Sequence, residues 1–342
     1  MTLLTKVLHR WDDIEKLRKG EMVPPRFVDF HSSNICNMHC VGCQYAGRLS
    51  KDYMSEEDQF AVVDKFLKIG VKAFDFCGGG EPLIPPYMDK LLRHVRKNGA
   101  WVGLLSNGSV MTANLMSAII DCACYIRISL EASNPEDYTL YKGVHKSMWD
   151  RVLDNIRALQ QVNSTTGSQL EVSVKFAVSK TLKGQKHYED AIALGKSLHA
   201  ERITFRAIRD SVDQLSEVDK IWENKILERV LERLPPDTRK HISYWLVPVP
   251  FSQVPQCWLN PLHAMVQCNG DMHVCCYGYY RPEQLYLGNI IKQSFEEIWF
   301  SQKHWDVIKG IKREDCARVD CKFFNHHKSV EQNSIRETIE WL

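Results

Sequence analysis

The sequence lacks long apolar runs, excess charge and internal repeats. No stretch approaches the ~18–20 consecutive apolar residues that a membrane-crossing helix requires. The opening MTLLTKVLHRW is broken by Lys6, His9 and Arg10, so it has no signal-peptide core. Lys+Arg exceed Asp+Glu by only 44 − 42 = 2, too little to gather nucleic acid or an anionic membrane. These absences lead to the expectation of a cytoplasmic protein with neither a nucleic-acid nor a membrane partner. Disulfide frameworks are rare in that compartment.

What the chain does have is 12 cysteines in 342 residues. In a reducing compartment they point to metal, redox chemistry or catalysis. Hydrophobic residues at 44% and charged residues at 25% are globular values, and the length suits about two domains.

Residues 3–18 place Leu3, Leu4, Val7, Leu8, Trp11, Ile14 and Leu17 on one helical stripe, giving an N-terminal amphipathic helix within 1–25. Its Lys6, Arg10, Lys16, Arg18 and Lys19 form a basic face that suits an acidic electron donor such as a flavodoxin, or plain solvent. Strand-like runs follow at 26–32, 71–77, 101–106, 125–131, 171–179 and 201–207. Helical patterns near 56–69, 84–98, 111–121, 146–162 and 186–198 separate them. This alternation predicts a parallel α/β domain over 26–210. The rhythm breaks over 211–256, a linker with one helix and several prolines. A cysteine-rich part, 257–342, follows with short strands and helices at about 293–311 and 328–341.

Cys36, Cys40 and Cys43 form C-x3-C-x2-C just after the first strand. Three thiolates this close suit an iron–sulfur cube with one iron left open, the condition a catalytic metal centre needs. A structural zinc site is the alternative, but zinc sites usually pair C-x2-C units and no second pair lies nearby. The second strand ends in CGGGEP, where Gly78, Gly79 and Gly80 permit close backbone approach and Glu81 adds a carboxylate.

This combination resembles the radical S-adenosylmethionine (SAM) superfamily, whose partial (β/α)6 TIM-like barrel carries CxxxCxxC after its first strand. The resemblance implies a [4Fe–4S] cluster whose open iron is chelated by SAM. It further implies reductive cleavage of SAM to a 5′-deoxyadenosyl radical that abstracts hydrogen from substrate. Gly78, Gly79, Gly80 and Glu81 resemble the motif that holds the methionyl amine. Asn107, Ser129, Glu131 and Lys142 match further stretches of the SAM site. Lys142 stands where the family has an arginine and offers a point charge without the bidentate fork. Gly42 stands where the family often has an aromatic, and Tyr45 is a candidate substitute.

Polar residues alternate with apolar ones on three strands. Arg127, Ser129 and Glu131, then Ser173, Lys175 and Ser179, then Arg202, Thr204 and Arg206 share one face, predicting a charged lumen and a polar substrate. An amphipathic sheet with one face in water is the alternative. Arg206 and Asp210 follow at the barrel mouth and are candidates for orienting substrate.

The C-terminal pattern Cys257…Gly270-x4-Cys275, then LGN…EEIW and Cys316…Cys321, resembles the SPASM/twitch auxiliary domain. It implies a second [4Fe–4S] cluster held by Cys257, Cys275, Cys316 and Cys321. Cys268 or Cys276 is an alternative ligand, and Cys276 is also a candidate hydrogen donor, as in related epimerases. Three functions compete. The first is a radical SAM oxidoreductase or epimerase acting on a small polar molecule, with flavodoxin or ferredoxin as electron donor. Only 35 residues precede Cys36, which is little room for the leader-binding domain of peptide-maturing relatives. The second is a peptide- or protein-modifying maturase. The third is a non-catalytic iron–sulfur or zinc protein.

Overall fold

The computed structural model describes residues 10–46, 53–208, 213–247, 257–279 and 281–312, with Cys316, Cys321, Phe323, His327, Lys328 and Val330. Asp210, the first half of the N-terminal stripe and nearly all of the helix expected over 328–341 lie outside these residues.

In chain order the elements are α1 (Trp11–Arg18), β1 (Phe27–Phe30), α2 (Glu56–Lys68), β2 (Ala73–Phe76), α3 (Met88–Lys97), β3 (Trp101–Ser106), α4 (Ala113–Cys122), β4 (Ala123–Glu131) and α5 (Pro135–Lys142). They continue with α6 (Ser147–Thr166), β5 (Glu171–Val178), α7 (Gln185–Ser197), β6 (Arg202–Ala207), α8 (Glu217–Glu232), α9 (Pro236–Arg239) and β7 (Ile242–Trp245). The last are β8 (His263–Val266), β9 (Asp271–His273), α10 (Pro282–Leu285), β10 (Tyr286–Asn289), α11 (Phe295–Trp299) and α12 (Gln302–Lys309). Each strand-like run forms a strand. The helix expected from 84 begins only at Met88, because Pro85 and Pro86 delay it.

Two compact units interleave along the sequence: Met1–Asp29, Glu57–Lys72 and Pro248–Leu342 form one; Phe30–Glu56 and Ala73–Val247 form the other. The second unit is the α/β partial barrel. Strands β2 to β7 pair in order, all parallel. Ile126, Ile128, Val172, Val174, Phe176 and Phe205 are fully buried, each worth roughly 1.5–3 kcal/mol of burial. Two of its elements escaped the periodicity. Helix α5 is short and carries a mostly polar sequence, yet it is well delimited: Asn134 caps it, Pro135 opens it and Gly143, at φ 61°, closes it. Strand β7 lies in what reads as linker. It continues the parallel sheet beyond β6, and Ser243 and Thr204 hydroxyls meet at 3.0 Å.

In the first unit β8, β9 and β10 form an antiparallel sheet, with β1 beside β8. His263 Nε2 lies 3.0 Å from Asp29 Oδ2, both buried. Trp299 and Phe295 stack at 5.6 Å in its core, and Trp299 donates its indole N–H to the Val23 carbonyl. The single helix expected over 293–311 is instead two. Ser301 breaks it, because its side chain accepts the His304 N–H and starts α12 afresh.

His304 is fully buried and donates Nδ1–H to the Trp299 carbonyl at 2.7 Å. Burial lowers its pKa to about 4, against the carbonyl bond that raises it. The unfolded chain, titrating near 6.5, therefore binds a proton that the folded chain refuses. Stability is expected to fall as pH drops from about 6.5 towards 4, with at most about 3 kcal/mol from this residue. Chemical denaturation of His304→Asn against wild type at pH 7.5 and 4.5 checks this: the gap between the two proteins should narrow at the lower pH.

Candidate functional site

The cysteine triad sits on the loop after β1, where Cys43 N–H donates to the Cys40 carbonyl. Backbone hydrogen bonds hold the loop on two sides. On one, Gly80 N–H donates to Ser33 C=O at 2.7 Å and Glu81 N–H to Ile35 C=O at 2.8 Å. On the other, His39 and Val41 N–H donate to the Lys142 and Tyr141 carbonyls at 2.8 and 2.9 Å. Those acceptors are the last carbonyls of α5, which helix geometry leaves open. The glycine turn after β2 and the end of α5 thus hold the cysteines between them.

The glycines are sterically required. Gly79 adopts φ +62°, and a Cβ there would lie 2.5 Å from both Ser33 O and Asn34 Oδ1. A Cβ on Gly80 would enter the Ile35 carbonyl and come within 2.6 Å of the Asn34 carbonyl carbon. The absent side chain of Gly42 has a similar cause: the Tyr141 hydroxyl fills the space a Cβ would take. Tyr141, not Tyr45, is the aromatic beside Gly42. Tyr45 packs edge-on to His31 at 5.5 Å.

Glu81 is buried, and its carboxylate accepts the Ser106 hydroxyl at 2.7 Å, the Asn107 N–H at 2.6 Å and the Leu83 N–H at 3.2 Å. Burial raises its pKa while these donors lower it. Sequence reading expects this carboxylate to face a bound ammonium; the structure gives it the further task of fixing the turn after β3. From that turn Asn107 Nδ2 reaches Asn37 Oδ1 at 2.9 Å and Cys36 Sγ at 3.8 Å, and Asn37 donates to Ser109 at 2.8 Å. Asn37 and Ser109 went unnoticed in the sequence, although Asn37 lies inside the CNMHC motif.

Lys142 is buried, with Nζ 2.6 Å from the Ser129 carbonyl and 5.9 Å from the Tyr138 ring centroid. Its charge also lowers the Cys40 thiol pKa against the larger upward push of burial. Lys142→Met is expected to weaken SAM binding at least about tenfold, roughly 1.4 kcal/mol. Equilibrium dialysis against labelled SAM tests it, and unchanged affinity would remove Lys142 from the site.

At the end of β4, Glu131 has φ 74°, a conformation that costs a non-glycine residue about 1–3 kcal/mol. The pairing register with β5 shifts there, and Glu131 meets Lys175 at 2.8 Å. Ser129, Lys175, Thr204 and Ser243 occupy paired positions on β4 to β7, so they share one face. Arg206 lies one step further along, paired with Ala177 and Trp245. Burial of the intervening Ile128, Leu130, Val174 and Phe205 puts the apolar set on the opposite face, as the alternation predicts.

The thiols suit a cluster chemically. Although Cys36 is exposed as a residue, the protein around its sulfur pushes the thiol up to about 11, and burial raises Cys40 too. Iron binds the thiolate, so a cation must supply the energy of deprotonation. Among the described residues no three His, Cys, Asp or Glu side chains are close enough to hold one metal ion. A multi-iron cluster gives each thiolate its own iron.

In the other unit the second cysteine group converges. Gly270, at φ +86°, makes the β8–β9 turn, and Cys275 follows β9 directly. Burial is the largest cause raising the Cys257 thiol pKa, reinforced by Cys321 and Cys316. Cys275, also pushed well up, shares a hydrogen bond with Cys276 and has Cys257 as a further neighbour. Cys257, Cys275, Cys316 and Cys321 therefore come together with Cys276 beside them, and Cys268 is buried in the hairpin turn.

Both halves of this arrangement match known families. The family described as Radical SAM superfamily covers residues 30–170, and the one described as an iron–sulfur cluster-binding domain, SPASM, covers 257–322. The fold and its thiols are those of a radical SAM enzyme. Within that superfamily the chain belongs to the SPASM subgroup, with a SAM-binding [4Fe–4S] cluster and auxiliary iron–sulfur binding.

A probable GTP 3′,8-cyclase of Pyrobaculum aerophilum is 30% identical over 132 residues, covering 37% of this chain and 41% of that protein. The chain thus spans less than half the length of that relative. The antilisterial bacteriocin subtilosin biosynthesis protein AlbA of Bacillus subtilis is 20% identical over 321 residues, covering 89% of this chain and 66% of AlbA. Among solved structures, Streptococcus suis SuiB bound to precursor peptide SuiA superposes with a TM-score of 0.68 at 14% identity, covering 87% of this chain and 70% of that one. No helix among the described residues is long and apolar enough to cross a membrane.

Proposed function

We propose that this enzyme uses SAM to abstract hydrogen from a small polar molecule, such as a sugar, aminocyclitol or nucleoside, giving dehydrogenation or epimerisation. SAM bound at the first cluster supplies the 5′-deoxyadenosyl radical when an electron arrives from a flavodoxin or ferredoxin. The observation carrying the substrate class is the polar face of β4 to β7, with its Glu131–Lys175 ion pair at 2.8 Å. Charged groups on such a face orient hydroxyl and amino groups by hydrogen bonds that an apolar ligand cannot return.

In this reading Cys36, Cys40 and Cys43 hold the first cluster. Gly78, Gly79, Gly80, Glu81, Asn107, Ser129, Glu131 and Lys142 shape the SAM site, and Arg206 and Asp210 orient substrate. Cys257, Cys275, Cys316 and Cys321 hold the auxiliary cluster, with Cys276 as a hydrogen donor if the reaction is an epimerisation. A second reading, a peptide-modifying maturase, is favoured by the alignment with AlbA, which runs over 89% of this chain.

The test is anaerobic reconstitution with dithionite and SAM. Release of 5′-deoxyadenosine, increased by polar small molecules without any leader peptide, supports the first reading. Stimulation by peptides alone supports the second. An epimerase product gains solvent deuterium; a dehydrogenase product loses two hydrogens and gains none.

A further inference from the structure

His327 follows the last cysteine of the auxiliary group and has no assigned task. It is only 2% exposed. Its two ring nitrogens face different partners. Nδ1 accepts the Trp258 backbone N–H at 3.2 Å, and Nε2 lies 3.7 Å from Cys257 Sγ. A backbone N–H is a donor only, so the Nδ1 lone pair is committed to it. The neutral imidazole must then carry its proton on Nε2, the nitrogen that faces the sulfur. The ring is fixed further by the His327 N–H, which donates to the Phe323 carbonyl at 3.0 Å, and by the Phe323 ring, edge-on at 6.4 Å.

We propose that His327 is a positioning and tuning residue for the auxiliary cluster, donating Nε2–H to the Cys257 thiolate and raising the cluster's reduction potential. The proposal rests on Cys257 being a cluster ligand. Reduction adds one negative charge to the cluster, spread partly onto its sulfurs. A hydrogen bond to a ligand sulfur is therefore stronger in the reduced state and favours it. The same tautomer argues against iron ligation by His327, since Nε2 carries a proton where a ligand needs a lone pair. An acceptor of raised potential suits a cluster that takes an electron from a substrate radical.

The experiment uses full-length reconstituted protein with Cys36, Cys40 and Cys43 all replaced by alanine, leaving the auxiliary cluster as the sole source of signal. If this background binds no iron, the auxiliary assignment fails and the proposal with it, a result distinct from those below. In the background that does bind iron, redox titration followed by electron paramagnetic resonance gives the potential. His327→Phe should keep the full iron content and shift the potential downward. His327→Gln, whose amide N–H can reach towards the sulfur, should recover part of the shift. An unchanged potential with full iron, or loss of iron from both variants, overturns the proposal. A measurement on the unmutated histidine removes dependence on variant folding. Protein labelled with ¹⁵N-histidine should show a weak nitrogen coupling to the reduced cluster. A strong coupling, meaning direct ligation, or no coupling at all, overturns it.

Discussion

Replacing Cys36 with alanine is expected to cut 5′-deoxyadenosine release at least about a hundredfold. Iron should fall from about eight to about four per chain, since one cluster is lost and the other stays. Cys36 is one of only three thiolates available to the first cluster, and Asn107 aims its amide at this sulfur from 3.8 Å. No neighbouring thiol on the loop replaces it, because Cys40 and Cys43 are already used. Cys122→Ala serves as the control, since Cys122 is a buried core residue of α4. It should leave both product and iron unchanged. Retained activity in Cys36→Ala would remove the triad from the chemistry. A loss of all iron would show that the two cysteine groups do not load independently.

Gly80→Ala is the second large effect. The added methyl would press on the backbone of Asn34 and Ile35, which cannot rotate aside as a flexible side chain can. Overpacking of this kind costs about 1–3 kcal/mol. Relief requires breaking the Gly80–Ser33 and Glu81–Ile35 hydrogen bonds, and those bonds hold the segment leading into Cys36. The variant should therefore lose stability, SAM affinity and first-cluster iron together. Gly99→Ala provides the contrast. Gly99 has φ +82° but nothing within 4 Å of an added Cβ. It should cost about 1–2 kcal/mol of backbone strain and leave iron content and SAM affinity intact. Denaturant midpoints, iron assays and SAM binding on both variants separate a steric lesion at the site from general destabilisation. Equal loss of cluster in the two would sink the argument.

Much of this was readable in the chain. The triad, GGGEP and the polar alternation on β4 to β6 depend on spacing within short segments, and short spacing survives in any fold. Helix α5 was harder to find because its residues read as a polar motif, and its role appears only when its last carbonyls accept from His39 and Val41. Strand β7 has four residues, too few for a period to show, and its pairing with β6 forms across the intervening α8 and α9. The exchange of an aromatic for Gly42 looked like a gap in the site. It is a consequence of Tyr141, 99 positions later, occupying the same space.

The sequence by itself determined the chemistry: which thiols, which glycines and which strands carry the reaction, because ligand spacing and backbone permissiveness are local properties. The tertiary structure decided how those groups are held. Glu81 braces the turn after β3, Lys142 is committed to the Ser129 carbonyl, and His327 turns one nitrogen to Trp258 and the other to Cys257. Each depends on groups distant in sequence meeting at hydrogen-bonding range. No pattern of residue types specifies that distance until the chain has packed.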